Sequence, residues 1–130
     1  MSEFFTAIER ACEGLIYISE TDAPVLPFAG SAATDVTGEV VLQQTGISAG
    51  QQIEEQSIAV FFDRLTAIKD WFGEAEKARA KKFRDLQKLV EENLRLAKVF
   101  RIGTIRVRIF AVGIDAEGRL MGVSTEAVET

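Results

Sequence analysis

The residue types that most often carry catalytic chemistry are scarce in this sequence. Histidine is absent from all 130 residues, so the commonest general base and the commonest metal ligand are both missing. Cys12 is the only cysteine, which excludes an intrachain disulfide and a cysteine-based zinc site. Because Cys12 falls on the apolar stripe of a predicted helix and no histidine can activate it, we expect a packed thiol and not a nucleophile.

Carboxylates are the remaining candidates for acid–base or metal chemistry. Acidic residues stand close together at three places: Glu54–Glu55, Glu91–Glu92 and Asp115 with Glu117. No spacing places two of them across a cleft, as glycoside hydrolysis requires, and residues 115–118 lack the spacing of an EF-hand loop. We therefore interpret them as surface charges, and the sequence predicts neither a catalytic centre nor a metal site.

A basic stripe occupies part of a predicted helix. Five of its eight residues are cationic: Lys77, Arg79, Lys81, Lys82 and Arg84. Binding of single-stranded nucleic acid usually adds aromatic residues between such charges, and only Phe83 is available here. The formal net charge of the chain is -5, which disfavours direct binding to a polyanion. A solvated helix face is the simpler interpretation.

Trp71 is the only tryptophan, and it lies between charged residues just before the longest predicted helix. One interpretation is structural, with Asp70 as the cap of that helix and Trp71 packed at the junction. The other is functional, because a tryptophan at such a boundary is typical of a binding hot spot. The residues alone leave both open.

The C-terminal residues collect acidic groups as well. Glu126, Glu129 and the chain carboxylate of Thr130 fall within five residues. They could form a frayed acidic tail. They could also form a mobile set of hard oxygen ligands, suited to Mg²⁺ or to a basic pocket on a partner.

Apolar periodicity predicts the elements that position these residues. Helices are expected over residues 3–13, with Ser2 as N-cap, and from Glu74 to Ala97. Alternating or short apolar runs predict strands at Leu15–Ser19, Pro24–Phe28, Thr104–Val112 and Arg119–Ser124. Residues 30–38 are expected to form a loop, residues 39–44 fit a strand or a short helix, and residues 57–65 fit a strand that runs into a helix.

These elements sum to the α+β class, with helices packed on a small, largely antiparallel sheet in one domain over residues 1–130. The N-terminus has no basic export region, and no apolar run approaches the ~20 residues of a membrane span. We therefore expect a cytoplasmic location and no membrane partner.

Four segments together carry a resemblance to a known family: residues 14–20 (GLIYISE), 41–46 (VLQQTG), Asp70-Trp71 and 128–130 (VET). In order and spacing the sequence resembles the nuclease A inhibitor family, small cytoplasmic proteins that block a sugar-non-specific, Mg²⁺-dependent nuclease. The resemblance implies an α-β-α sandwich. It also implies inhibition by protein–protein binding, with no enzymatic activity and no cofactor of the chain's own.

The resemblance also implies which residues contact the nuclease. Glu20 looks like the partner of a basic residue of the nuclease, Asp70 and Trp71 look like a contact pair, and Thr130 looks like the residue that reaches the nuclease metal. Lys69 departs from the uncharged polar residue that the family has there. A cation facing a basic nuclease lowers affinity, so the cognate nuclease is expected to differ. The segment between Gly46 and Phe61 matches the family poorly.

Two further functions remain open. One is an antitoxin or immunity-type partner of another basic enzyme. The other is a small-molecule-binding regulatory domain that shares only the fold.

Overall fold

The computed structural model describes residues 3–130, and Ser2, the expected N-cap of the first helix, lies outside that range. Four helices are present in it: α1 (Glu3–Cys12), α2 (Gly38–Thr45), α3 (Ile58–Thr66) and α4 (Glu74–Asn93). The same range holds seven strands: β1 (Ile16–Ile18), β2 (Asp22–Pro24), β3 (Leu26–Ala32), β4 (Ile53–Ser57), β5 (Arg95–Ile102), β6 (Arg106–Ile114) and β7 (Arg119–Val128). Among residues 3–130, no helix is both long and apolar enough to cross a membrane.

Five strands form one antiparallel sheet in the order β3-β7-β6-β5-β4. Strands β1 and β2 form a separate hairpin. At its open end the residues that flank the two strands are also paired, since the Val25 N–H donates to the Leu15 carbonyl oxygen at 2.9 Å. Pro27 lies in β3, at an edge of the sheet, where the missing N–H of proline breaks no ladder of hydrogen bonds. The predicted α+β class with an antiparallel sheet is confirmed.

Side chains from both faces of the five-stranded sheet are buried. Successive residues of a strand point to opposite faces, and on β6 Val107 and Ile109 join the core formed with α1, α3 and α4. Phe110 and Val112 join a second core that includes Val41 of α2. Helices therefore cover both faces, which explains why the second half of β6 is a continuous apolar run without polar alternation.

Local capping decides the two segments that the sequence left open. Residues 39–44 belong to α2, which begins because the Thr37 hydroxyl accepts a hydrogen bond from the Val40 N–H at 3.2 Å. Over residues 57–65 the expected helix is present, but the expected strand is limited to Ser57, the last residue of β4. The Ser57 hydroxyl caps α3 by accepting a hydrogen bond from the Val60 N–H at 3.1 Å. The loop expected over residues 30–38 is wrong for its first part, because β3 continues to Ala32.

The long helix ends earlier than its periodicity predicts. Helix α4 stops at Asn93 and β5 starts at Arg95, whereas the sequence predicted a helix to Ala97. Leu94 and Ala97 fit the apolar spacing of a helix and of a strand equally, and pairing with β6 decides between them. Arg101, which follows the predicted helix end, is a buried residue of β5.

Arg64 lines one recess with Phe72 and Glu76, at the start of α4, and another recess with Arg101, near the end of β5. The start of α4 therefore lies at the same end of the molecule as the end of β5. The pairing of Ile102 with Arg108, and of Arg106 with Val128, places the end of β7 there as well. The β1–β2 turn reaches the same end, because the Glu20 N–H donates to the Val128 carbonyl oxygen at 3.4 Å. The segment before α4, the β5–β6 turn, the β1–β2 turn and the last residues of the sequence therefore lie at one end of the molecule.

Candidate partner-binding site

The last three residues are held by hydrogen bonds from two neighbouring turns. The Val128 N–H donates to the Ser19 hydroxyl at 3.1 Å, and the Glu129 N–H donates to the Ile105 carbonyl oxygen at 2.9 Å. The Thr130 N–H donates to Oε2 of Glu20 at 2.5 Å. All three amides are therefore engaged within the molecule, which favours an ordered chain end over a frayed or mobile tail.

Glu20 and Thr130, two of the expected contact residues, are in direct contact. Besides the amide contact, the Thr130 hydroxyl donates to Oε1 of Glu20 at 2.6 Å. The Glu20 carboxyl is exposed, and these two hydrogen bonds lower its pKa below the ordinary value. The hydrogen bond from the Thr130 hydroxyl has the larger effect. Each carboxylate oxygen has further lone pairs, so Glu20 can still accept a hydrogen bond from a basic residue of a partner.

Arg101 holds the neighbouring residue Glu129. Its guanidinium group makes a short hydrogen-bonded ion pair with the Glu129 carboxylate, and its Nε lies 3.9 Å from Oε1 of Glu54. Burial acts to lower the pKa of Arg101, but the interactions with Glu129 and with the Tyr17 hydroxyl outweigh it and raise the pKa above its ordinary value. Only 9% of Arg101 is exposed, so Glu129, the penultimate residue, is paired with a buried cation.

Asp70 and Trp71 occupy the two central positions of a tight turn. The Phe72 N–H donates to the Lys69 carbonyl oxygen at 3.0 Å and closes the turn. Trp71 is 75% exposed, while its ring meets the Phe72 ring edge to face, with 4.8 Å between centroids. The expectation that Trp71 is exposed agrees with this geometry.

The structural alternative for Asp70 is wrong. Gly73 is the N-cap of α4, and its N–H donates to the Glu76 carboxylate at 3.0 Å. Asp70 lies outside this cap and is exposed. Neither side chain of the Asp70-Trp71 pair is therefore needed to start the helix.

A shallow recess, lined by apolar and charged side chains, lies between residues that neighbour the two pairs in sequence. Phe72 lines it together with Ile16, Ile18 and Arg64, and Ile18 stands two residues before Glu20. The side chain of Ile18 points outwards and is 49% exposed. Within residues 3–130 no hydrogen bond joins Trp71 to Glu20, so the four expected residues form two pairs on one end of the molecule.

The remaining candidate side chains have structural roles. Cys12 is buried as expected, and desolvation raises the pKa of its thiol to about 11. Asp115, expected at the surface, is 4% exposed, because its Oδ1 accepts hydrogen bonds from the Glu117 and Arg119 amides and orders the β6–β7 turn. In the described part of the chain, no three His, Cys, Asp or Glu residues are placed to hold a metal ion.

Four of the five residues of the basic stripe on α4 are exposed, as expected for a solvated face, and Arg79 is half-buried. Lys82 is partly engaged, since its Nζ donates to the Glu13 carbonyl oxygen at 3.0 Å and ties α4 to the end of α1. The helix surface towards the core is apolar, with Ala80, Phe83 and Leu86 buried. The stripe is therefore the outer face of an amphipathic helix.

Sequence reasoning missed Arg101, Ser19 and Ile18, which lie beside the expected residues. A lone charge inside the apolar run Val99–Ile102 was a usable signal for Arg101, because such a charge must find a partner when buried. Alternation in β1 was a usable signal for Ile18, since Tyr17 is buried and its neighbours then face outwards. The contact of Ser19 with Val128 spans 109 positions, and no local pattern predicts it.

Comparison with known families identifies a relationship over nearly the full length of the chain. The family described as nuclease A inhibitor-like protein matches residues 2–130, nearly the whole chain. No curated protein matches the chain significantly. The matched range contains Glu20, Asp70, Trp71 and Thr130, and the resemblance drawn from four short segments is confirmed. This chain belongs to the nuclease A inhibitor-like family.

Proposed function

We propose that this protein inhibits a sugar-non-specific, Mg²⁺-dependent nuclease by covering its active site, with Thr130 reaching the metal. Glu20, Asp70 and Trp71 contact the nuclease around it. One observation carries the proposal: an exposed tryptophan and a hydrogen-bonded chain end lie on the same end of the molecule. The protein acts by binding alone, in the cytoplasm, without a cofactor of its own and without touching nucleic acid.

The chain end suits a metal that already has a hydration shell. Mg²⁺ dehydrates reluctantly and usually keeps several waters in nuclease sites. One oxygen of Thr130 can replace one of these waters, and a negative charge complements the cation. Glu20 engages the amide and hydroxyl hydrogens of Thr130, so the oxygen lone pairs of Thr130, on its carboxylate and its hydroxyl, are what is left to face the partner.

Trp71 serves as the anchor of the second contact. Tryptophan is among the residues most enriched at interface hot spots, because it buries a large rigid surface at little entropic cost. Its turn leaves both faces of the indole accessible except where Phe72 supports it. Lys69 begins the same turn, so a nuclease that accepts this contact needs an acidic or neutral group opposite Lys69.

The direct test is inhibition of a panel of Mg²⁺-dependent non-specific nucleases, measured as the rate of DNA digestion against inhibitor concentration. Two extended proteins sharpen it: one carries six residues after Thr130, and the control carries the same six before Met1. We expect inhibition by the control and loss of at least about tenfold, or ~1.4 kcal/mol, in the C-terminally extended protein. No inhibition of any nuclease, or equal inhibition by both proteins, would contradict the mechanism.

A cleft next to the chain end, with Thr21 and Val128 among its lining residues, favours one alternative, a small-molecule-binding regulatory domain. The cleft measures about 680 Å³ and lies between the β1–β2 hairpin and the segment after α2, with Ile47, Arg106 and Arg108 among its lining residues. Amide chemical shifts separate the alternatives. A nuclease should perturb residues 70–71 and 129–130, whereas a small ligand should perturb Ile47 and Arg108. An antitoxin-type partner of another basic enzyme would show the first pattern with no nuclease inhibition.

A further inference from the structure

Glu129, the penultimate residue, is held through both its backbone and its side chain. The Glu129 N–H donates to the Ile105 carbonyl oxygen in the turn between β5 and β6, and the Glu129 carboxylate meets the guanidinium group of Arg101. About half of the Glu129 side chain is exposed, at 48%, whereas 10% of the Arg101 side chain is. Glu129 therefore closes over a cation that has little access to water.

A buried cation of this kind holds its partner firmly. Removing one member of a buried ion pair leaves an uncompensated charge, which costs more than an exposed pair is worth. Arg101 also interacts with the Tyr17 hydroxyl, and Glu54, whose carboxylate lies 3.9 Å from Nε, is more exposed than Glu129. Arg101 thus retains Glu129 in one position, and Thr130 follows directly on it.

We propose that Arg101 acts through Glu129 as a positioning residue, which orders Thr130 before the partner arrives. The inference rests on the proposed function, since it explains how the same chain end binds. Ordering the backbone of one residue on binding would otherwise weaken affinity by about 5- to 30-fold. A chain end held in advance avoids that loss for Glu129 and Thr130.

The first experiment measures order in the free protein, by ¹⁵N relaxation of the Glu129 and Thr130 amides. Glu129→Ala should lower the Thr130 order parameter from near the rigid value of ~0.85 to below ~0.6. Glu129→Gln, which keeps an acceptor for the guanidinium group, should retain most of the order. Glu126→Ala is the matched control, because Glu126 is an exposed residue of β7 on a different cleft. A Thr130 amide that is mobile in the wild type, or unaffected by Glu129→Ala, overturns the inference.

The second experiment separates positioning from direct contact, by affinity measured with an inhibited nuclease. Glu129→Ala should raise Kd by about 5- to 30-fold in the full-length protein. In a protein that lacks Thr130 it should change Kd by less than about twofold, because nothing is left to position. An equal loss in both backgrounds would show that Glu129 itself touches the nuclease, and the inference would be wrong.

The two experiments also distinguish this inference from the proposed function. If no nuclease binds the wild type, the proposed function fails and the ordered chain end has no inhibitory role, whatever the relaxation data show. If nucleases bind and Glu129→Ala leaves the Thr130 order and Kd unchanged, the proposed function stands and positioning by Arg101 fails.

Discussion

The Glu20 carboxylate is the residue-scale probe of the chain end, because it titrates. The hydroxyl and amide of Thr130 both donate to it and lower its pKa. Thr130→Val removes the hydroxyl donor and keeps the amide, so we expect the pKa of Glu20 to rise towards its ordinary value of 4.5. Carboxyl ¹³C shifts followed against pH measure this, and Thr34→Val, in the exposed connection before α2, is the control.

The sign of the pH dependence follows from the same hydrogen bonds. A carboxyl whose pKa is lower in the folded than in the unfolded protein contributes stability that is fully present above the unfolded pKa. That contribution disappears as the pH falls through the lower, folded value. The contacts of Thr130 should therefore loosen only below the ordinary pKa of Glu20, and the Thr130 amide shift should follow the Glu20 titration. An amide shift independent of that titration would contradict the contact.

Trp71 is the residue whose substitution separates binding from folding most clearly. Its high exposure means that Trp71→Ala removes little from the core. A hot-spot tryptophan costs ~2–4 kcal/mol on truncation, so we expect nuclease binding to weaken by roughly 30- to 1000-fold with nearly the same melting temperature. Leu26→Ala is the control, since Leu26 is also exposed, at 51%, and lies on β3. A large fall in melting temperature for Trp71→Ala would contradict the interface role.

At the scale of elements, the junction between α4 and β5 shows what the sequence could and could not predict. Helix α1, the β1 run and the β6–β7 hairpin carry strong local patterns, and the structure has all of them. The start of β5 carries none, because no glycine or proline marks the end of α4 and the apolar spacing continues through it. Only pairing with β6, a non-local interaction, turns residues 95–97 into strand. The Arg101–Glu129 pair depends on that register, so the sequence could not predict this pair either.

A substitution of Gly113 on β6 can test this junction, because the backbone at the start of β5 packs directly against this glycine. The pairing of β5 with β6 shifts between Arg95 and Lys98, and a Cβ on Gly113 would meet the Arg95 carbonyl oxygen and the Leu94 Cβ, each at 2.8 Å. Since one of these atoms is backbone, we expect Gly113→Ala to cost about 1–3 kcal/mol in the free energy of unfolding, as for an overpacked core. Urea denaturation with an unchanged m-value measures it.

Gly73→Ala is the matched control for Gly113→Ala. A Cβ on Gly73 would meet only the flexible carboxylate end of Glu76, at 3.1 Å. Its cost should stay below about 1 kcal/mol, the scale of a helix N-cap change. Equal destabilisation by the two substitutions would mean that the close approach at Gly113 is not what shapes β5.

At the scale of the whole molecule, charge governs how fast the proposed complex forms. The formal net charge is -5, and an acidic protein is drawn towards a basic active-site surface over distances of about a Debye length, ~8 Å at physiological salt. Total charge and local charge make different predictions. If the field at the binding end does the steering, a charge reversal there should slow association far more than the same reversal on the opposite face of the sheet.

Asp63 and Glu39 provide that comparison. Asp63 is an exposed residue of α3 in a recess shared with Arg101 and Glu129, whereas Glu39 lies on α2, which packs on the other face of the sheet. Both charge reversals to lysine change the net charge equally. At low salt we expect Asp63→Lys to slow association with the nuclease by about tenfold and Glu39→Lys by less than about twofold, with similar dissociation rates. The difference should shrink as salt rises, because screening shortens the reach of exposed charges. Equal slowing by the two variants would assign the steering to total charge, and the binding end would then have no electrostatic role of its own.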